Sequence, residues 1–202
     1  MDISRSVLVK NLEMLRRLVE GSTHTSDAFV DFAFDLLQYS VPKYGYSWEK
    51  PADFKRRTKK LFRENFGDVV ILFRERHSND FNEKFTLIKD METSDDILLY
   101  VASFQEKIFK GNIPLMEFIA YCAFLLDMAL ICMELEDPDL LFNIVDDTAD
   151  VFYQYIKPYF TIVGGWFSLY RVAKQYERYV TTEPQNNPVA SATEENWDLL
   201  CV

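Results

Sequence analysis

Residues 114–133 read PLMEFIAYCAFLLDMALICM, a run apolar on almost every side and about as long as a membrane span. Glu117 and Asp127 argue against spanning, because an acidic residue near a bilayer centre costs about 2.5–3.5 kcal/mol on insertion scales. A helix that is apolar all round in an otherwise polar chain is one surrounded by other helices. The stretch therefore predicts a buried central helix, and the fold class follows from it: all-α, with amphipathic helices around a central apolar one at about 114–133.

The flanking sequence supplies those helices. Residues 6–20 carry Leu8, Leu12, Leu15 and Val19 on one stripe and stop at Gly21. Ser26 or Asp27 is placed to cap a second helix bearing Phe29, Phe32, Ala33, Leu36 and Leu37, which Pro42 and Gly45 end. Pro51 suits the first turn of a third, with Phe54, Leu61 and Phe62 inward and Lys55, Arg56, Arg57, Lys59, Lys60 and Arg63 outward. Gly67 interrupts the pattern before the apolar run 69–73, read as helix because its surroundings are helical. Phe81, Phe85, Ile88 and Met91 form another amphipathic stretch. Ser94 or Asp95 then caps a helix with Ile97, Leu98, Val101, Phe104, Ile108 and Phe109.

Beyond the central run, Pro138 starts a helix with Leu141, Ile144, Val145, Phe152 and Ile156. Pro158 and the pair Gly164-Gly165 make the next turn, and Trp166, Leu169, Tyr170, Ala173 and Tyr176 mark a last helix. Some eight helices are expected in a domain over residues 1–180. Residues 181–202 are polar and Pro-containing and read as a disordered tail, whose Trp197-Asp198-Leu199-Leu200 is a candidate docking motif.

A chain of 202 residues with 17 Phe can bury a sizeable core without disulfide or metal staples. The net charge of −10 argues against nucleic acid as a partner. The charge is uneven: residues 43–63 hold eight basic and two acidic side chains, whereas 127–150 hold eight acidic and no basic ones. Two faces of opposite field follow, suited to steering partners. Within the basic run, KRRTKK also fits a nuclear-import signal. Cys122, Cys132 and Cys201 form no disulfide framework, and the N-terminal residues lack the apolar run of a signal peptide, so an intracellular setting is expected.

The supplies for catalysis are thin. His24 and His77 sit among polar neighbours, and no phosphate-cradling loop, nucleophile elbow or zinc spacing occurs. Neither enzymatic activity nor a cofactor is expected. The alternative is Asp146-Asp147-Thr148-Ala149-Asp150, the paired-aspartate pattern of isoprenoid synthases: on a helix, Asp146 and Asp150 share a face and could hold magnesium against a diphosphate.

An apolar helix sheathed by amphipathic ones resembles the Bcl-2 fold. Phe109-Lys110-Gly111-Asn112-Ile113 leading into Phe118-Ile119-Ala120-Tyr121-Cys122-Ala123-Phe124 looks like that family's first homology motif, a turn entering an aromatic-rich central helix. Val163-Gly164-Gly165-Trp166 looks like its second. A narrower likeness is to the adenoviral small T-antigens, a viral branch of the family. It rests on Leu15-Arg16-Arg17-Leu18-Val19-Glu20-Gly21-Ser22, then Thr25-Ser26, and on Phe104-Gln105-Glu106-Lys107-Ile108, and extends over about residues 8–170. Members of that branch lack a C-terminal membrane anchor and end in a polar tail.

The resemblance implies inhibition of host-cell apoptosis. A hydrophobic groove captures the amphipathic death-motif helix of pro-apoptotic partners of the Bax and Bak type, anchored by side chains at i, i+3, i+4 and i+7. By the same resemblance Phe109, Ile113, Leu115, Phe118 and Ile119 line the groove floor, with Gly164, Gly165 and Trp166 at one end. It also implies a place in the host cytoplasm, in peripheral association with host membranes including the nuclear envelope. One departure matters. The family's first motif carries an Arg that pairs with an Asp of the bound helix, and here Glu117 stands in that region and would repel it. Lys59, Lys60 and Arg63 are the candidates to supply the missing charge from a facing helix.

Overall fold

A computed structural model describes residues 28–52, 54–56, 58–79, 88, 91, 93–109 and 115–182, without the side chains of 106–109, 154, 155 and 158. Seven α-helices run through them: α1 (Ala28–Ser40), α2 (Glu64–Arg76), α3 (Ser94–Phe109), α4 (Leu115–Glu134), α5 (Pro138–Val151), α6 (Lys157–Ile162) and α7 (Gly165–Thr182). A 3₁₀ turn, Val41–Tyr44, follows α1, and a π-helical segment, Phe152–Ile156, joins α5 to α6. There is no strand among the described residues, so the chain is all-α as expected. The expected helix at 6–20, the caps Ser26 and Asp27, Phe81, Phe85 and the tail from 183 onward lie outside the described residues.

The run that decides the fold is α4. Every side chain from Phe118 to Cys132 is buried. Helices α1, α2, α5 and α7 pack around it, and α3 reaches it where Phe104 stacks on Phe124 at 4.0 Å between ring centres. Although α4 has the length and hydropathy of a span, its apolar surface is already covered by this chain. Asp127, in the middle of α4, is fully buried and takes two hydrogen bonds from Arg74 of α2, Nε at 2.9 Å and Nη2 at 2.7 Å. A second polar insertion ties three helices together. Gln105 of α3 donates to the Tyr121 hydroxyl of α4 (2.7 Å) and to Thr148 Oγ1 of α5 (3.0 Å), and the two hydroxyls lie 2.6 Å apart. Burial pushes the Tyr121 hydroxyl and the Cys122 and Cys132 thiols up, the last to about 12, in keeping with cysteines that act as small hydrophobes.

Several expectations need correction. Residues 54–56 and 58–63 are not helical, and the next helix begins only at Glu64. The cause is a pair of buried carboxylates on α1. Asp31, 1% exposed, accepts from the Thr58 amide at 2.8 Å and from the Thr58 hydroxyl. Asp35, 7% exposed, pairs with Lys50 Nζ at 2.6 Å and with Arg56. Burial raises the Asp35 pKa, but the hydrogen bonds from Arg56 and Lys50 outweigh it and hold the carboxyl below its ordinary value. A helix over this segment would give up these anchors and strand the two aspartates in the core, a larger loss than helical spacing of Phe54, Leu61 and Phe62 could offset.

Gly67 does not interrupt a helix but lies inside α2, where a Cβ would stand 2.5 Å from the Tyr39 ring and 3.0 Å from that of Phe62. Its lack of a side chain lets α2 close on α1. The cap of α3 is Thr93, one residue before the expected Ser94: its hydroxyl accepts from the Asp96 amide at 3.2 Å and donates to the Asp96 carboxylate at 2.8 Å. Pro158 does not make a turn. The helical track runs through it because the π segment shifts the pairing, with the Lys157 amide donating to the Phe152 carbonyl. The last helix runs to Thr182, two residues past the expected domain end at 180.

Candidate functional site

The residues singled out by the sequence fall at two helix starts. At the first, Leu115, Met116 and Glu117 are half-buried on the opening turn of α4. Phe118 and Ile119 follow and are completely buried. As placed, these two pack the core and offer no surface to a partner. The sequence reading places them on a groove floor; in the structure α1, the π-helical segment, α6 and α7 all send aromatic rings against Phe118. Phe109 ends α3, its side chain outside the described atoms, and Ile113 lies outside the described residues.

The second start is the turn into α7. Gly164 and Gly165 both have positive φ, 100° and 57°. A Cβ on Gly164 would also collide with Ser168 Oγ. Gly164→Ala is therefore expected to destabilise the fold by about 1–3 kcal/mol, seen as a lower urea midpoint with an unchanged slope. The turn delivers Trp166 into the aromatic core. Its ring lies 4.5 Å from Phe32, 5.1 Å from Phe160 and 6.1 Å from Phe118, the last edge-on at 86°. Phe118 and Trp166, from the two motif-like stretches, are thus in direct contact.

Glu117 stands beside this junction in sequence. Its Oε2 is buried without a hydrogen-bond partner, and burial pushes the carboxyl above its ordinary range. The neutral form of such a group donates a hydrogen bond where the charged form would repel an acid.

Lys59, Lys60 and Arg63 are exposed, on the extended run before α2 and not on a helix. The run is fastened to α7: the Tyr170 hydroxyl donates to the Leu61 carbonyl, and the Arg63 guanidinium lies 4.4 Å over the Tyr170 ring. The cationic rim therefore borders the helix that carries Trp166.

The aspartate motif sits on the last turns of α5. Asp146 and Asp147 are exposed, Asp150 is half-buried, and Thr148 points inward to Gln105 and Tyr121. Among the described residues no three His, Cys, Asp or Glu side chains converge as a metal site. His77 caps the end of α2 with its ring 4.5 Å from that of Phe73.

Sequence reasoning missed Asp31 and Asp35, although two acids spaced i, i+4 within an otherwise apolar helix were a readable signal of buried partners. It also missed the exposure of Ile162 and Phe167, for which hydrophobicity gives no signal. No protein-family model matches the chain, and no curated protein matches it.

Proposed function

We propose that this chain is a viral anti-apoptotic protein of the Bcl-2 type, which holds death-motif helices of Bax- and Bak-type host proteins and so suppresses host-cell apoptosis. The reading rests on the two motif-like stretches, and the single observation that carries it is their contact: Phe118 of α4 against Trp166 of α7, edge to face. A buried apolar helix with amphipathic helices around it is the architecture the reading requires. Leu115 and Met116, in the turn before Phe118, and Trp166 each keep part of their surface accessible. These, more than Phe118 and Ile119, are the side chains an incoming helix would meet first.

On this reading the protein works in the host cytoplasm and at host membranes, the nuclear envelope included. It needs no cofactor and catalyses nothing. The acidic residue of the death-motif helix meets two features here. Glu117, with its raised pKa, takes a proton more readily than an ordinary glutamate and then donates to that acid. Lys59 and Lys60 on the exposed run supply positive charge.

Lys59→Glu with Lys60→Glu tests the second feature. Both side chains are exposed, so the fold should survive. Affinity for a Bax or Bak death-motif peptide is expected to fall about tenfold or more, chiefly at low salt. An unchanged Kd would remove the rim from the account.

A further inference from the structure

The corner between α6 and α7 exposes apolar side chains in an unusual concentration. Ile162 is 80% exposed and Phe167 76%, with Tyr159 and Val163 close to half exposed between and before them. From Phe167 an unbroken stripe continues along α7. Arg171, Lys174 and Arg178 follow at i+4, i+7 and i+11, which places all four side chains on one face, and all four are exposed. The opposite face of α7 is buried through Leu169 and Ala173. None of the three cations makes an ion pair among the described residues. Lys157, exposed at the start of α6, lies over the Tyr153 ring at 4.4 Å. This stripe belongs to a chain of net charge −10.

We propose that this corner docks on an anionic lipid interface. Ile162 and Phe167 enter the boundary between headgroups and acyl chains, and Arg171, Lys174 and Arg178 lie over the anionic headgroups. Two arguments favour a lipid surface over a protein partner. Side chains exposed to this degree project from a convex corner, and a bilayer accepts projecting apolar groups without a shaped counterpart. The charge is complementary as well: a strongly acidic protein is repelled by an anionic membrane over most of its surface, and this cationic stripe, continuous with the exposed apolar side chains, turns the corner toward the headgroups. The stripe covers about 16 Å of helix, at 1.5 Å per residue, so its charges reach headgroups beside the inserted tip. Tyr159, with an apolar ring and a polar hydroxyl, suits the same boundary.

The inference stands apart from the groove reading, and the experiment keeps the two separate. The full chain is sedimented with vesicles of phosphatidylcholine alone and with vesicles that also contain phosphatidylserine, at low and high salt. Binding to the anionic vesicles only, reduced by salt, is expected. Ile162→Ser with Phe167→Ser, and separately Arg171→Glu with Lys174→Glu, should each lower the partition coefficient at least about tenfold. Both pairs are exposed, and circular dichroism together with an unchanged urea midpoint verifies that each variant is folded. Equal partition of wild type and either double variant would overturn the proposal, as would failure of the wild type to bind anionic vesicles. If wild type ignores vesicles while Ile162→Ser with Phe167→Ser weakens peptide affinity, the corner belongs to a protein partner and the lipid assignment is wrong.

Discussion

Arg74→Ala is expected to destabilise the folded chain by about 3–5 kcal/mol, among the largest effects available to one substitution here. The argument is one of stranded charge. Asp127 has 1% of its side chain exposed, and Arg74 only 14%. Burial works against the Arg74 charge, yet the Asp127 carboxylate outweighs it and the guanidinium pKa is raised. The face of Tyr44, 4.9 Å from the guanidinium carbon, completes the enclosure. Alanine at 74 removes the guanidinium and its two hydrogen bonds from a carboxylate in the centre of the apolar helix. The double variant Arg74→Met with Asp127→Leu removes both charges at similar volume and should recover stability to within about 1 kcal/mol of wild type, or exceed it. Urea unfolding of the three proteins distinguishes the accounts. If Arg74→Ala costs less than about 1 kcal/mol, the pair is reached by water and α4 is not the enclosed core helix described above.

Phe118→Ala should cost a similar amount, about 3–5 kcal/mol, for a different reason. The side chain is completely buried, and its ring meets those of Phe160 at 5.4 Å, Phe152 at 5.8 Å, Trp166 at 6.1 Å, Phe29 at 6.2 Å and Phe32 at 6.3 Å. Rings from four other stretches cannot all collapse into the space left behind, so most of the cavity persists. Combined with Trp166→Ala, the double-mutant cycle should return a coupling of about 0.5–1.5 kcal/mol, the range for an edge-on aromatic pair. Additive effects would mean that the two motif-like stretches do not meet in solution, and would remove the observation on which the functional proposal rests.

The parts of this structure that could be read from sequence are those where one strong term decides. Residues 115–134 are so uniformly apolar that no arrangement other than burial on all sides suits them, and the stripes of α1, α5 and α7 follow from that requirement. The misreadings cluster where a distant partner decides. Residues 51–63 have helical spacing, but Thr58, Arg56 and Lys50 answer to Asp31 and Asp35 on α1, and no local pattern announces that. Gly67 reads as a breaker until the Tyr39 ring is seen to occupy the space of its missing side chain. Pro158 reads as a stop because nothing in the sequence shows the π segment that accommodates it. In the candidate site, Trp166 and the glycine turn were legible through their motif and through the need for positive φ. Phe118 and Ile119 were legible as apolar residues of the central helix, but apolar character alone does not separate a core floor from a groove floor.

The most direct test of the proposed function is a titration of the full chain with fluorescent death-motif peptides of Bax and Bak, beside variants of each peptide with its i, i+3, i+4 and i+7 anchors replaced by polar residues. The account predicts saturable, submicromolar binding of the native peptides and at least about a hundredfold loss with the anchor variants. Binding by none of the peptides, or equal binding of native and variant peptides, would contradict it.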